Sequence, residues 1–240
     1  MQEHPSWKKG VAELIGTFAL IFVGVLVLTR GMGGDGDGVA IALAHGLTIA
    51  VMASATMSIS GGQLNPAVTI GLLAARKISV GQAGVNILMQ LVGGTLGGYF
   101  ALFALGGDAS TVAGGVPALA EDVSFVRGVF IEAILTFFLM FVIMGTAVDP
   151  RFGARIGALA IGLTVTLDIL AGGPLTGAAM NPARWLGAAL PAMQFADALV
   201  YFIGPILGAV AAALLYNGIL MDEPRPHPEP QAQMRAKGNP

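Results

Sequence analysis

The sequence predicts an all-α membrane protein: six transmembrane helices and two re-entrant half-helices, arranged as an inverted repeat. Three observations carry that prediction. Of the 240 residues, 55% are hydrophobic and 11% charged; a soluble domain carries about 25% charged residues, so too little polar surface remains here to cover a water-exposed globule. The chain holds six apolar stretches long enough to cross a bilayer and two that are too short. Its two halves also share sequence elements at a nearly constant offset.

A span needs roughly 20 apolar residues, at about 1.5 Å rise each, to cross about 30 Å of hydrocarbon. Residues 1–9 read as a short cytoplasmic N-terminus. The first span covers 10–30, and because further spans follow, it reads as a retained helix and not a cleaved signal peptide. The second span covers 39–59, and the apolar piece 66–75 reaches only halfway across. The third span, 80–105, completes a first repeat of 10–105, and an outer loop, 106–125, is expected to line a vestibule. The second repeat, 126–220, contains spans at 126–148, 155–173 and 196–220 and the short piece 182–190. The proline-rich tail, 221–240, cannot build a core and is expected to be disordered.

Placing the N-terminus in the cytoplasm puts Lys8, Lys9, Arg76, Lys77, Arg151, Arg155, Arg225, Arg235 and Lys237 inside. Arg30 and Arg127 fall outside, and that nine-to-two split fits the positive-inside rule. Both termini are then cytoplasmic, with the cell membrane as the expected location.

The repeat is visible in three places. Glu13-Leu-Ile-Gly-Thr-Phe18 is echoed by Glu132-Ala-Ile-Leu-Thr-Phe137, 119 positions later. Asn65-Pro66-Ala67 returns as Asn181-Pro182-Ala183 after 116, and Gln90-Leu-Val-Gly93 matches Pro205-Ile-Leu-Gly208 after 115. Three spans per half is an odd number, so the second copy sits upside down, and such folds place their sites near the midplane on broken helices.

Asparagine is a favoured N-cap and proline suits the first helical turn. One Asn-Pro-Ala is an ordinary cap; two at equivalent positions, each before a short apolar helix, point to half-helices meeting at the membrane centre. Each such helix end carries about +0.5 charge. The asparagine oxygens are expected to cap the backbone, leaving the amide hydrogens of Asn65 and Asn181 free to face a lumen. The small-residue approaches Ser60-Gly-Gly-Gln-Leu64 and Thr176-Gly-Ala-Ala-Met180 are expected to line it, since irregular backbone at membrane depth survives only beside a cavity or buried in protein. Their backbone, at Gly61, Gly62, Gln63, Gly177 and Ala179, can offer a ladder of carbonyl acceptors.

With no cysteine there is no disulfide, thiol catalysis or thiolate metal site. No metal cluster, activated nucleophile or phosphate loop is visible, so neither an enzyme nor a cofactor is expected, and no basic block suggests nucleic acid. Glu13 and Glu132 lie within spans, where an unpaired charge is expensive. They read either as a proton relay or, as favoured here, as acceptors holding the re-entrant loops, with Gln90 an internal partner. Gly93, Gly97, Gly204 and Gly208 read as close helix crossings.

On Ser60-Gly-Gly-Gln-Leu-Asn-Pro-Ala-Val68, Gly177-Ala-Ala-Met-Asn-Pro-Ala-Arg184, Glu13-Leu-Ile-Gly-Thr-Phe18 and Ile203-Gly-Pro-Ile-Leu-Gly208, the sequence resembles the major intrinsic protein (aquaporin) family over residues 8–220. The resemblance implies a right-handed bundle, one pore per subunit and a homotetramer in the lipid bilayer. It implies a passive channel for water, with ammonia, urea or hydrogen peroxide as further small neutral solutes. It also implies an outer constriction of four side chains, His45, Ile169, Ala178 and Arg184. That His-Ile-Ala-Arg set resembles the plant vacuolar branch and implies an opening wider than in strict water channels. A lone histidine on an apolar helix can equally be a core residue. Glycerol channels of the family usually carry aspartate after the motif arginine; here Trp185 follows it, with Ala189, Tyr201 and Phe202 at positions resembling water channels. Glycerol conduction is the alternative, and a coupled transporter or a structural protein with a vestigial pore are more distant ones. Asp168 reads as an outer-mouth residue or a helix cap.

Overall fold

The computed structural model describes residues 4–30, 38–151 and 156–221. Arg155, Arg225, Arg235, Lys237 and the tail from 222 onward lie outside the described residues. Eight α-helices follow in order: α1 Ser6–Arg30, α2 Gly38–Ser60, α3 Pro66–Ala74, α4 Val80–Ala104, α5 Phe125–Ile143, α6 Gly157–Thr176, α7 Pro182–Ala192 and α8 Ala198–Leu215. Single π-turns, Met144–Val148 and Tyr216–Leu220, prolong α5 and α8. The helices α1, α2, α4, α5, α6 and α8 are long and apolar enough to span a membrane, counting the π-turns with α5 and α8. Helices α3 and α7, of 9 and 11 residues, are the half-helices.

The fifth span runs to Thr176, three residues beyond the sequence-based end at 173. Pro174 stands inside it and does not stop it; Gly177, left-handed at φ 75°, does, as expected of a C-terminal cap. The expected loop 106–125 contains a 3₁₀ turn, Ala109–Gly115, started by Asp108, whose carboxylate accepts from the Ser110 backbone at 2.9 Å.

The packing follows the repeat. Helix α1 lies on α4 as α5 lies on α8, and α2 meets α6 across the two halves. Each half-helix packs on the last span of the other repeat, α3 on α8 and α7 on α4. Glycine makes the central crossing possible: Gly46 and Gly162, themselves 116 apart, meet so that a Cβ on either would lie 2.4 Å or 2.3 Å from the other's carbonyl oxygen. The outward faces of the spans are apolar, for instance Leu43, Leu47 and Val51 on α2 and Leu159, Leu163 and Leu167 on α6. Such surface is stable against lipid and not against water.

Candidate functional site

Both half-helices begin as the sequence predicts, with Pro66 and Pro182 in the first turn and asparagine in the N-cap. Asn65 Oδ1 accepts from the Ala67 backbone at 2.8 Å, and Asn181 Oδ1 from Ala183 at 2.9 Å and Arg184 at 3.3 Å. The asparagine amides are not wholly free, which corrects the sequence-based expectation. Asn65 Nδ2 donates to the Met180 carbonyl and Asn181 Nδ2 to the Leu64 carbonyl, each at 2.9 Å. One hydrogen of each amide is thereby engaged across the repeats, and a second remains, because a carboxamide nitrogen carries two. The cause is proximity: two polar helix starts meet in an apolar interior, where a bare carbonyl is costly.

Leu64 and Met180 hold left-handed backbone, φ 51° and 52°, which side-chain-bearing residues seldom adopt. Two buried carboxylates secure it. Glu13 accepts from Leu64 N at 2.6 Å, Gln63 N at 3.0 Å, the Ser60 hydroxyl at 2.6 Å and Gln90 Nε2 at 2.7 Å. Glu132 accepts from Met180 N at 2.7 Å, Ala179 N at 2.9 Å and the Thr176 hydroxyl at 2.7 Å. Both glutamates are fully buried, and hydrogen bonds are what make such burial tolerable.

The halves then differ. Behind α3 lies a polar network: Thr69 and Asn86 both donate to Gln63 Oε1, and Thr69 pairs with Gln90. The positions matching Thr69 and Asn86 in the second half, 116 and 115 later, are Trp185 and Tyr201. Those rings stack at 5.8 Å, and the Tyr201 hydroxyl donates to the Thr176 carbonyl at 2.8 Å. Trp185 is thus buried behind α7 against Tyr201 and Phe202, which accounts for its bulk beside Arg184. Asp168 lies inside α6 and caps no helix end; it is buried, with Oδ2 lacking a hydrogen-bond partner among the described residues.

The functional candidates converge on one cavity. It is lined by His45, Ile169, Ala178 and Arg184, by Asn65 and Asn181, and by Gly62, Gln63, Ala179 and Met180. A second cavity shares Gly62, Gln63, Val68, Ile143 and Ile161 with it and opens between Lys9 and Lys77, so the two form one column. Gly61 lines this second part; Gly177 lines neither, being packed on Pro117. Pro66, Ala67, Pro182 and Ala183 are buried in the helix starts and line neither part.

Arg184 is buried, and its Nη1 donates to the Gly115 carbonyl at 3.2 Å. The 3₁₀ turn Ala109–Gly115 thereby positions the guanidinium, a role that the sequence left undetected. Arg184 occupies the repeat position of Val68, 116 earlier, so the column has a cationic donor at one level and an apolar side chain at the matching level. His45 Nδ1 lies 2.9 Å from the Ile41 carbonyl, which can only accept, so Nδ1 carries the hydrogen and Nε2 is the acceptor of the neutral ring. No group of three or more metal-ligating side chains occurs among the described residues.

Comparison with known proteins agrees with this geometry. The Major intrinsic protein family profile matches residues 1–216. Aquaporin TIP4-4 of Zea mays is 43% identical over 231 residues, covering 92% of this chain and 90% of that protein. Aquaporin NIP1-1 of Oryza sativa subsp. japonica is 37% identical, over 89% of this chain and 74% of its own. Among solved structures, the aquaglyceroporin from Plasmodium falciparum superposes with a TM-score of 0.82 at 25% identity, covering 90% of this chain and 97% of that one. The chain therefore belongs to the major intrinsic protein family of passive, non-enzymatic channels and is an integral, multi-pass, TIP-like aquaporin.

Proposed function

We propose that the chain is a passive pore for water, open also to ammonia, urea and hydrogen peroxide and closed to protons and ions. The observation that carries this is the meeting of two N-capped half-helices, at Asn65 and Asn181, on one column that continues to a mouth. A permeating water at that level accepts from the two remaining amide hydrogens. Its own hydrogens then point outward along the file, which breaks a proton relay, while two positive helix ends oppose cations. His45, Ile169, Ala178 and Arg184 form the selectivity filter; Arg184 supplies donors and a fixed charge. Ile169 and Ala178 leave it wide enough for small neutral solutes beyond water. Carbonyls of the approach segments give water acceptors on either side.

The named aquaporin relatives support water as the first permeant. The likeness to an aquaglyceroporin makes glycerol the second reading. Stopped-flow light scattering of proteoliposomes, under sucrose, glycerol and urea gradients, separates the two. Fast shrinkage in sucrose without glycerol entry supports the water channel; glycerol entry at comparable speed supports the other. Rates equal to empty liposomes overturn both.

The assembly proposed is a homotetramer, to be measured by light scattering of the detergent-solubilised protein. The proposed location is the cell membrane, with both termini cytoplasmic. Fractionation that finds the protein in an internal membrane overturns that location and leaves the channel reading intact.

A further inference from the structure

Gly24 of α1 faces the filter histidine from behind. A Cβ built on Gly24 would lie 2.5 Å from His45 Nε2, 3.1 Å from Cδ2 and 3.2 Å from Cε1, so the ring tip rests directly on the glycine. The first of these distances is shorter than side-chain carbons tolerate, and a side chain here would displace the ring. The direction of displacement is restricted. At its other nitrogen the imidazole is tied to the Ile41 carbonyl at 2.9 Å. The recess around the tip is walled by Leu20, Ile21, Val25, Arg184 and Ala188 and leaves no room for a water molecule. The open side is the column, which His45 also lines together with Ile169 and Arg184.

We propose that Gly24 is a specificity-determining residue: by receiving the His45 ring into α1, it sets the aperture of the filter without touching the permeant. The inference rests on the channel reading above. A ring pushed toward the lumen narrows the passage, and narrowing penalises large permeants before small ones. A single extra carbon in a close-fitting site discriminates by about tenfold or more.

The experiment compares wild type, Gly24→Ala, His45→Ala and the double variant in proteoliposomes, measuring water and urea flux by stopped flow. With Gly24→Ala, urea flux falls about tenfold while water falls only about twofold, narrowing acting on size. In the His45→Ala background, where no ring can be displaced, Gly24→Ala leaves the ratio of the two fluxes unchanged. A ratio that shifts equally in both backgrounds, or in neither, overturns the proposal. If Gly24→Ala fails to insert, the double variant decides: its recovery supports the ring contact, and its failure means that the Cβ meets something other than His45, which overturns the proposal. A wild type without water flux would instead remove the channel reading itself.

Discussion

Asn65 and Asn181 are joined reciprocally, each donating through Nδ2 to the carbonyl of the residue preceding the other, Met180 and Leu64, at 2.9 Å. Each asparagine therefore does two things, capping its own half-helix and closing the partner loop. Serine separates the two roles, because it caps nearly as well as asparagine but is too short to reach the opposite carbonyl. In Asn65→Ser the buried Met180 carbonyl loses its donor, at a cost of about 1–3 kcal/mol. In Asn65→Ala the cap is lost as well, for about 1 kcal/mol more. Thermal unfolding in detergent should rank wild type above Ser above Ala. Equal midpoints for wild type and Ser would mean that the cross-repeat bond stabilises nothing.

Much of this arrangement is legible in the sequence, because it rests on residues whose type and spacing both carry information. Glutamate inside a span, and Asn-Pro-Ala twice at an offset of 116, need explanation wherever they fall. The cross-bonds are not legible, since no pattern says which carbonyl an amide will reach. Gly115 stands out in no pattern, because a 3₁₀ turn in a loop leaves no periodic signal, yet its carbonyl fixes Arg184. The packing of Trp185 is not legible either, because its neighbour in space, Tyr201, is 16 residues away in the chain. Gly46 and Gly162 share the repeat offset but stand in no motif, and a glycine in a span declares no partner until the crossing is seen.

The glycine crossings give a sharp contrast between two chemically identical substitutions. A Cβ on Gly208 would lie 2.0 Å from the Ala133 carbonyl oxygen, backbone against which nothing can yield. At Gly84, in the same kind of helix, nothing lies within 4 Å. Gly208→Ala should force α8 from α5 and cost at least the 1–3 kcal/mol typical of overpacking. Gly84→Ala should be neutral or stabilising by up to about 1 kcal/mol, through helix propensity. The yield of monodisperse protein and its unfolding midpoint check both; a well-folded Gly208→Ala would contradict the packing described here.

Just beyond Val148, which lines the second part of the column, the end of α5 is tied to the end of α8. Arg151 donates to the Asp149 carboxylate through Nε at 2.9 Å and Nη2 at 2.5 Å, Nη2 also reaches the Leu220 carbonyl at 2.8 Å, and the Tyr216 hydroxyl donates to Asp149 at 3.2 Å. Hydrogen bonds from the Arg151 side chain and backbone hold the Asp149 carboxyl well below the usual carboxylate range. The folded state thus binds this proton less readily than the unfolded chain. Its stabilisation is complete above about pH 4, the unfolded value, and is lost as pH falls below it. Between pH 7 and pH 3 the unfolding temperature of wild type should drop further than that of Asp149→Asn. Because the Arg151 side chain is half exposed, added salt should shrink that difference. Parallel pH curves for the two proteins would show that the clasp carries no charge-dependent stability.

Glu132 separates the channel from a proton-coupled transporter. Its oxygens accept from Thr176, Ala179 and Met180, and it lines neither part of the column, so it is turned to the loop and away from a permeant. In Glu132→Gln one oxygen becomes an NH₂ group facing a donor. Whichever way the amide turns, a buried N–H or O–H loses its acceptor, at about 1–3 kcal/mol. The left-handed backbone at Met180 loses part of its support at the same time. The variant should therefore unfold at lower temperature and conduct less water, while an imposed proton gradient changes the flux of neither protein. Vesicles loaded with a pH-sensitive dye, measured alongside osmotic shrinkage, test this directly. A wild-type flux that follows the proton gradient and a Gln variant that does not would assign Glu132 to proton transfer, against the acceptor role its geometry supports.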